Sequence, residues 1–331
     1  MVYLELSPPV VALHLLLGGP SDPFFLSEEE VHSWSSDLLP REGEWYIVTG
    51  RYEMQVAHSP AYMSLLKDLY GKHGISKELA EEFRERLPEA YSSVGKERKD
   101  LFYKPLRAVA RILKHLGYDV AHGPDPYFGL HYSGEGLGEE FKRVVEHAYK
   151  ELKEAGVRKV ITTSPGMTKL LGHDLPKILP DYDLEVRHYH ELIDERLEEL
   201  PAPKEGPKVT VHDCHVLARE LPGRDIPLKL RKMLERAGLR WVEPPIYTRE
   251  KVHCCGAPIS MFDSVSSFKA ADNRLMELLE PALAEDAKVI VMSCPSCFSA
   301  LYGALKRISP EGVEMYDATY FVYRHLWGGE P

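Results

Sequence analysis

The chain has 331 residues and carries 41 Lys+Arg against 51 Asp+Glu, a formal charge of −10. At roughly 150 residues per domain the length suggests two domains, and 44% hydrophobic with 28% charged residues provides for a full core and excludes disorder. The acidic balance excludes the usual nucleic-acid binder, which presents a basic face.

Taken in chain order, the first apolar run is Val10-Val11-Ala12-Leu13-His14-Leu15-Leu16-Leu17. It is too short to span a bilayer and carries a histidine. No basic segment precedes it and no small-residue cleavage site follows, so the expectation is a soluble, cytoplasmic protein with no direct membrane insertion. Ser27-Glu28-Glu29-Glu30 has the form of a capping box opening a short helix to about Leu39. Pro40-Arg41-Glu42-Gly43 breaks it, and Trp45-Tyr46-Ile47-Val48-Thr49 reads as a buried strand ending at Gly50. Helical patterns follow at about 60–70, 77–87 and 101–116. Strands and helices then alternate to the end, which implies βαβ units and a parallel sheet covered by helices. The chain contains one Asn (Asn273) and one Gln (Gln55), a depletion that hints at a thermophile.

The alternation repeats. In the second half, strand 208–212 leads to Cys214, and a helix from about Leu228 ends at Gly238, a glycine suited to a C-cap. A strand and loop reach Cys254-Cys255-Gly256. A helix covers about 268–284, strand 288–292 leads to Cys294-Pro295-Ser296-Cys297, and a strand at 313–316 precedes a terminal helix. In the first half, strand 45–49 is followed, after a helical insertion, by a helix at 105–116 ending at Gly117. A strand and loop reach His131-Tyr132-Ser133-Gly134. A helix covers 139–155, strand 159–163 leads to Ser164-Pro165-Gly166-Met167, and 184–187 precedes a helix at about 190–199. The expected fold is α/β, as two tandem pseudo-repeated domains, each a small, mostly parallel sheet flanked by helices. The domains are placed at 1–200 and 207–331, joined by the proline-rich segment Pro201–Pro207.

All five cysteines lie beyond residue 213, as Cys-x39-Cys-Cys-Gly-x37-Cys-x2-Cys. An odd number without an export signal argues against a disulfide framework and for metal or redox chemistry. Each group falls just past a parallel strand, in the loops that converge on the ligand site of open α/β sheets. Cys294 and Cys297 sit where a strand turns into a helix, whose unpaired N–H groups and dipole favour thiolate. Gly256 allows close backbone approach. One zinc takes four ligands, one fewer than the cysteines present, and adjacent cysteines suit a multi-iron cluster better, although the spacing matches no ordinary ferredoxin. Zinc, and buried unligated thiols, remain the alternatives.

The pattern Cys214…Cys254-Cys255-Gly256…Cys294-Pro295-Ser296-Cys297 resembles the CCG, or cysteine-rich, domain found in heterodisulfide reductases. The same domain occurs in iron–sulfur subunits of glycolate and lactate oxidation and of anaerobic glycerol-3-phosphate dehydrogenase. That domain usually comes in tandem. The resemblance covers roughly 45–327. It implies that Cys214, Cys254, Cys255, Cys294 and Cys297 ligate a noncubane [4Fe–4S] cluster in an oxidoreductase subunit. It also implies electron transfer with a flavin or iron–sulfur partner subunit and thiol/disulfide chemistry. In the first copy no cysteine stands near Gly50, and His131–Gly134 and Ser164–Met167 replace the thiol motifs, so no cluster is expected there.

Weaker signals surround this one. Cys294-Pro295-Ser296-Cys297 alone resembles a glutaredoxin-like redox pair at a helix start. His212, His215 and His253 flank the motif, with His215, His253 and Gly256 as candidates for tuning the cluster from behind its ligands. His188 and His190 share a face if extended, without further ligand types nearby. Ser133–Gly138 is glycine-rich but carries Glu135, which would repel phosphate. Arg51 and Tyr52 follow the first strand and are placed to face the cleft between the domains.

Overall fold

A computed structural model describes residues 13, 16, 22–129, 138–260 and 263–331 of the chain. In chain order the first half runs α1 (Glu28–His32), β1 (Trp45–Ile47), α2 (Tyr52–His73), α3 (Lys77–Ser92), α4 (Lys96–His115), β2 (Val120–Ala121), α5 (Gly138–Glu154), β3 (Lys159–Thr162), α6 (Pro165–Lys169), α7 (Leu175–Ile178), β4 (Glu185–His188) and α8 (Tyr189–Glu195). The second half runs β5 (Lys208–Val211), α9 (Ile226–Arg236), β6 (Arg240–Val242), α10 (Ser264–Ala284), β7 (Val289–Met292), α11 (Pro295–Ile308), β8 (Glu314–Asp317) and α12 (Ala318–Trp327). Among the described residues no helix is long and apolar enough to cross a membrane.

The two halves carry the same four-stranded sheet. The strand orders are β2-β1-β3-β4 and β6-β5-β7-β8, parallel throughout. Ile47 pairs with Ile161 as Val211 pairs with Val291, and Thr162 pairs with His188 as Met292 pairs with Asp317. Carried two to five residues past the strands, this register sets Gly50 where Cys214 stands, Ser164 where Cys294 stands and Met167 where Cys297 stands. The glycine caps also recur. Gly117 and Gly238 have φ of +77° and +84°. In each, the next residue's N–H bonds back five positions, Tyr118 to Leu113 and Leu239 to Leu234, which closes the helix end.

The helical insertion is longer than the sequence pattern suggests. α2 starts at Tyr52 and runs through Pro60, and α4 starts at Lys96 and runs through Pro105. Each proline forfeits a helical hydrogen bond, but here burial of Met54, Tyr62 and Leu66 on α2, and of Phe102, Leu106 and Val109 on α4, outweighs the break. α8 is shorter than expected, ending at Glu195 before a 3-10 turn. A continuous apolar core joins the halves, from Val31 and Phe102 through Tyr189 to Val211, Leu301 and Val322. A second cluster, with Val144, Val160 and Leu171, packs the far face of the first sheet. Phe102 meets Phe298 edge-on with centroids 5.9 Å apart, so α4 bridges the halves.

Candidate metal centre

Strands β5 and β7 are neighbours, so the loops leaving their carboxyl ends deliver Cys214 and the Cys294/Cys297 pair to one place. Ligand atoms of these three buried residues all lie within 4.8 Å of one another. Cys294 is the N-cap of α11, and its Sγ accepts the Cys297 N–H at 3.5 Å. Cys255 meets Cys297, and Cys254 meets Cys255, so the five thiols form one connected group. Four are buried and Cys254 is partly exposed.

Such a group is electrostatically unequal. Hydrogen bonds from Cys214 and Cys297 hold the Cys294 thiol well below the usual range, and those from Cys254 and Cys297 do the same for Cys255. Donating to them pushes Cys214 and Cys297 up, and Cys254 up to about 12. Like charges within a few ångströms in a buried site oppose full ionisation. A cation among the sulfurs removes that opposition, since thiolate is the metal-binding form. The donor set, all sulfur and mostly buried, therefore fits a soft thiophilic metal or an iron–sulfur cluster.

The supporting residues fall into two groups. Asp213 accepts both guanidinium branches of buried Arg231, at 2.9 and 2.7 Å, and the Arg249 N–H at 2.9 Å, tying the Cys214 loop to the loop before Cys254. Buried Arg274 donates from Nε to His212 Nδ1 at 3.1 Å, leaving His212 Nε2 as the protonated nitrogen. His215 lies against Cys254, whose sulfur raises the imidazole's affinity for a proton. His253 turns away, with Nδ1 on Glu277 at 2.6 Å and its ring stacked on Tyr247 at 3.9 Å. Gly256 has φ +81° and donates its N–H to Cys254 Sγ at 3.4 Å. A Cβ there would meet the Ser267 carbonyl at 2.6 Å, so what approaches this glycine closely is helix α10.

The second group comes from the first half. Tyr52 shares a hydrogen bond with Ser296, inside the Cys-Pro-Ser-Cys turn. Arg51 turns the other way, to the Asp125 carbonyl, Asp22 and Glu28. His188 ends β4 and caps α8, while His190 lies inside α8 and bonds Ser293 Oγ at 2.8 Å, so the strand does not extend over both. Glu53, Tyr189 and Asp317, invisible as site residues in the sequence, gather at the same junction. Their signal was positional: each lies within a few residues of a parallel strand's carboxyl end.

In the first half the corresponding place is filled. Met167 is fully buried, and a Cβ on Gly50 would stand 2.5 Å from its sulfur. Ser164 repeats the Cys294 cap with oxygen, accepting the Met167 N–H at 3.3 Å. The His131–Gly134 segment and the glycine-rich run after it lie outside the described residues, apart from Gly138 at the start of α5.

Residues 209–302 match the cysteine-rich domain family, CCG. The second half of this chain carries a CCG domain. The matched span holds all five cysteines and runs from β5 into α11. No curated protein matches the chain. Among solved structures it is similar to a hypothetical protein from Helicobacter pylori, at 13% identity and TM-score 0.47, covering 69% of this chain and 46% of that one. It is also similar to an aspartate racemase homologue from Pyrococcus horikoshii OT3, at 14% identity and TM-score 0.31, covering 86% and 97%. The chain thus spans less than half of the Helicobacter pylori protein, and likenesses this distant carry nothing about the CCG domain's chemistry.

Proposed function

We propose that this chain is a redox subunit whose CCG domain holds an iron–sulfur cluster of the noncubane [4Fe–4S] type. The ligands would be Cys214, Cys254, Cys255, Cys294 and Cys297. The observation that carries the reading is the meeting of five thiols from three distant loops, three of them within 4.8 Å, at the carboxyl ends of adjacent parallel strands. When bound, such a cluster supplies one-electron transfer and a sulfur-rich centre for thiol/disulfide chemistry.

The chain's own residues prepare the place. N–H groups of Gly256 and Cys297 point at sulfur, the Arg231–Asp213 pair fixes the Cys214 loop, and Tyr52 buttresses Ser296 from the other half. The reading takes residues 1–200 as a degenerate copy that serves as scaffold and docking surface. Met167 against Gly50 leaves that copy one thioether where the second copy has a thiol. The subunit therefore works with one cluster and receives its electrons from a flavin or iron–sulfur partner.

A second reading, a structural zinc site, is favoured by the tight Cys214–Cys294–Cys297 triad, which with Cys255 makes four thiols for a tetrahedral ion. Anaerobic purification followed by iron, sulfide and zinc analysis separates the two. Iron with acid-labile sulfide in a brown protein supports the redox subunit. One zinc per chain in a colourless protein, with no iron after anaerobic reconstitution, overturns it.

A further inference from the structure

Between the halves lies a cavity of about 30 Å3, walled on one side by apolar residues of α4 and on the other by Glu53, Thr163, Tyr189 and Asp317. Pro295 and Phe298, the residues following Cys294 and Cys297, complete the wall, so the cavity abuts the cysteine turn. Its volume suits water, at ~10–15 Å3 per molecule, rather than an organic ligand. Glu53 and Asp317 are contributed by different halves and approach the cavity from two sides.

The packing leaves Glu53 incompletely satisfied, whereas Asp317 is held as a helix cap. Glu53 is buried. One of its oxygens accepts the Thr163 hydroxyl at 2.5 Å, and the other, Oε2, has no partner. Asp317 caps α12, accepting the N–H groups of Thr319 and Tyr320 at 2.9 and 3.0 Å. The charges felt by Glu53 are those of Asp125 and Cys294, and Asp317 feels Cys294. Tyr189, on α8, stands between them with its hydroxyl on Thr319. Arg98, on α4, is engaged with the Val56 carbonyl at 3.0 Å and with Ser299 at 3.3 Å. Burial first, and these negative neighbours second, push Glu53 up to about 8 and Asp317 up to about 7. A buried carboxyl serves a structural role only when its polar atoms are satisfied, and an unpartnered one beside a redox-active sulfur group has the position of a proton carrier.

We infer that Glu53 and Asp317 take up the proton that balances the negative charge an electron brings to the five-cysteine site. The inference rests on the redox reading above. The balance is simple. A one-electron donor, such as a reduced flavin or iron–sulfur protein, loses an electron, which arrives at the sulfur site. A proton from solvent, entering through the cavity, converts one carboxylate to the neutral acid. Charge on the buried junction is unchanged, which avoids the cost of an uncompensated charge in low dielectric. On reoxidation the acid returns its proton to the cavity.

The test is a redox titration of the anaerobically iron-loaded full chain between pH 6 and 9, with iron content measured on the same samples. One proton per electron gives a midpoint that falls by about 59 mV per tenfold drop in proton concentration. Glu53→Gln and Asp317→Asn should each flatten that dependence, and together abolish it, at unchanged iron content. Thr163→Val, which keeps both acids, should shift the pH at which the slope begins. Carboxyl infrared titration of the metal-free chain gives a second readout: bands from Glu53 and Asp317 should titrate near neutral pH and vanish in the variants. A pH-independent midpoint in iron-loaded wild type, or a slope unchanged in the folded double variant, overturns the inference alone. Failure to bind iron overturns the redox reading and the inference with it.

Discussion

Met167 occupies in the first sheet the place that Cys297 occupies in the second, and its sulfur lies where a side chain on Gly50 would begin. The two halves thus share a backbone and differ in what fills its convergent loops. One converges on five thiols, the other on a packed thioether. The same register that brings Cys214 to Cys297 brings Gly50 to Met167.

That contact is a coupled pair. Gly50→Ala places a Cβ 2.5 Å from the Met167 sulfur at φ +63°, and should cost about 1–3 kcal/mol. Met167→Ala empties a fully buried site and should cost ~2–5 kcal/mol. In denaturant unfolding of the metal-free chain the double variant should fall short of the sum by at least ~0.5 kcal/mol. Strict additivity would show that the two side chains do not share one space.

Cys297 touches three other thiols, and Cys254 ends the chain of contacts at the surface. Cys297→Ala should therefore lower metal affinity by more than the ~10–100-fold typical of losing a supporting partner. Cys254→Ala should lower it less. Metal content and absorption after anaerobic reconstitution compare them, and equal retention by both variants would remove Cys297 as the centre of the group.

Asp213→Asn should destabilise the fold by about 1–3 kcal/mol, since it removes the bidentate acceptor of the buried Arg231 guanidinium and leaves Glu243 as its remaining carboxylate partner. Burial opposes ionisation of Asp213, but the Arg231 bonds and charge more than offset it and hold its pKa below the ordinary value. Stability from this group is thus present above the unfolded value, ~3.9, and is lost as pH falls through the folded one. Acid unfolding of wild type and variant should converge at low pH. A cost that persists undiminished at pH 2 would assign it to packing instead.

Burial depresses His190 to about 3, against ~6.5 unfolded. Above pH 6.5 the ring is neutral in both states. Below it the unfolded chain binds a proton that the folded ring refuses, so stability falls by roughly 1.4 kcal/mol per pH unit until about pH 3. His190→Gln should reduce the slope of metal-free stability between pH 6 and 4. His188, buried and depressed in the same direction, keeps part of that slope in the variant.

The tandem arrangement was legible because parallel strands carry their own punctuation. Val160-Ile161 and Val289-Ile290 are apolar runs ended by a helix cap, and Gly117 and Gly238 mark matching helix ends. The cysteines announced their own convergence. Helix lengths were not legible, since the sequence pattern starts the first helix of the insertion only at about residue 60 and the third at about 101, and tertiary burial carries α2 back to Tyr52 and α4 back to Lys96. Glu53 and Asp317 were hidden for a related reason. An acid near a helix start is usually a solvated cap, and it is the apposition of the two halves that buries Glu53 and brings Asp317, a half-buried cap, to the same cavity. The outward turn of His253 likewise depends on Tyr247 and Glu277, remote from it in any sequence pattern.

X-ray absorption at the iron and zinc edges of the anaerobically purified chain tests the central claim most directly. A fitted iron site with sulfur neighbours and iron–iron scattering, lost in Cys297→Ala, is the predicted result. A zinc edge fitted by four sulfurs, with no iron present after reconstitution, would contradict it.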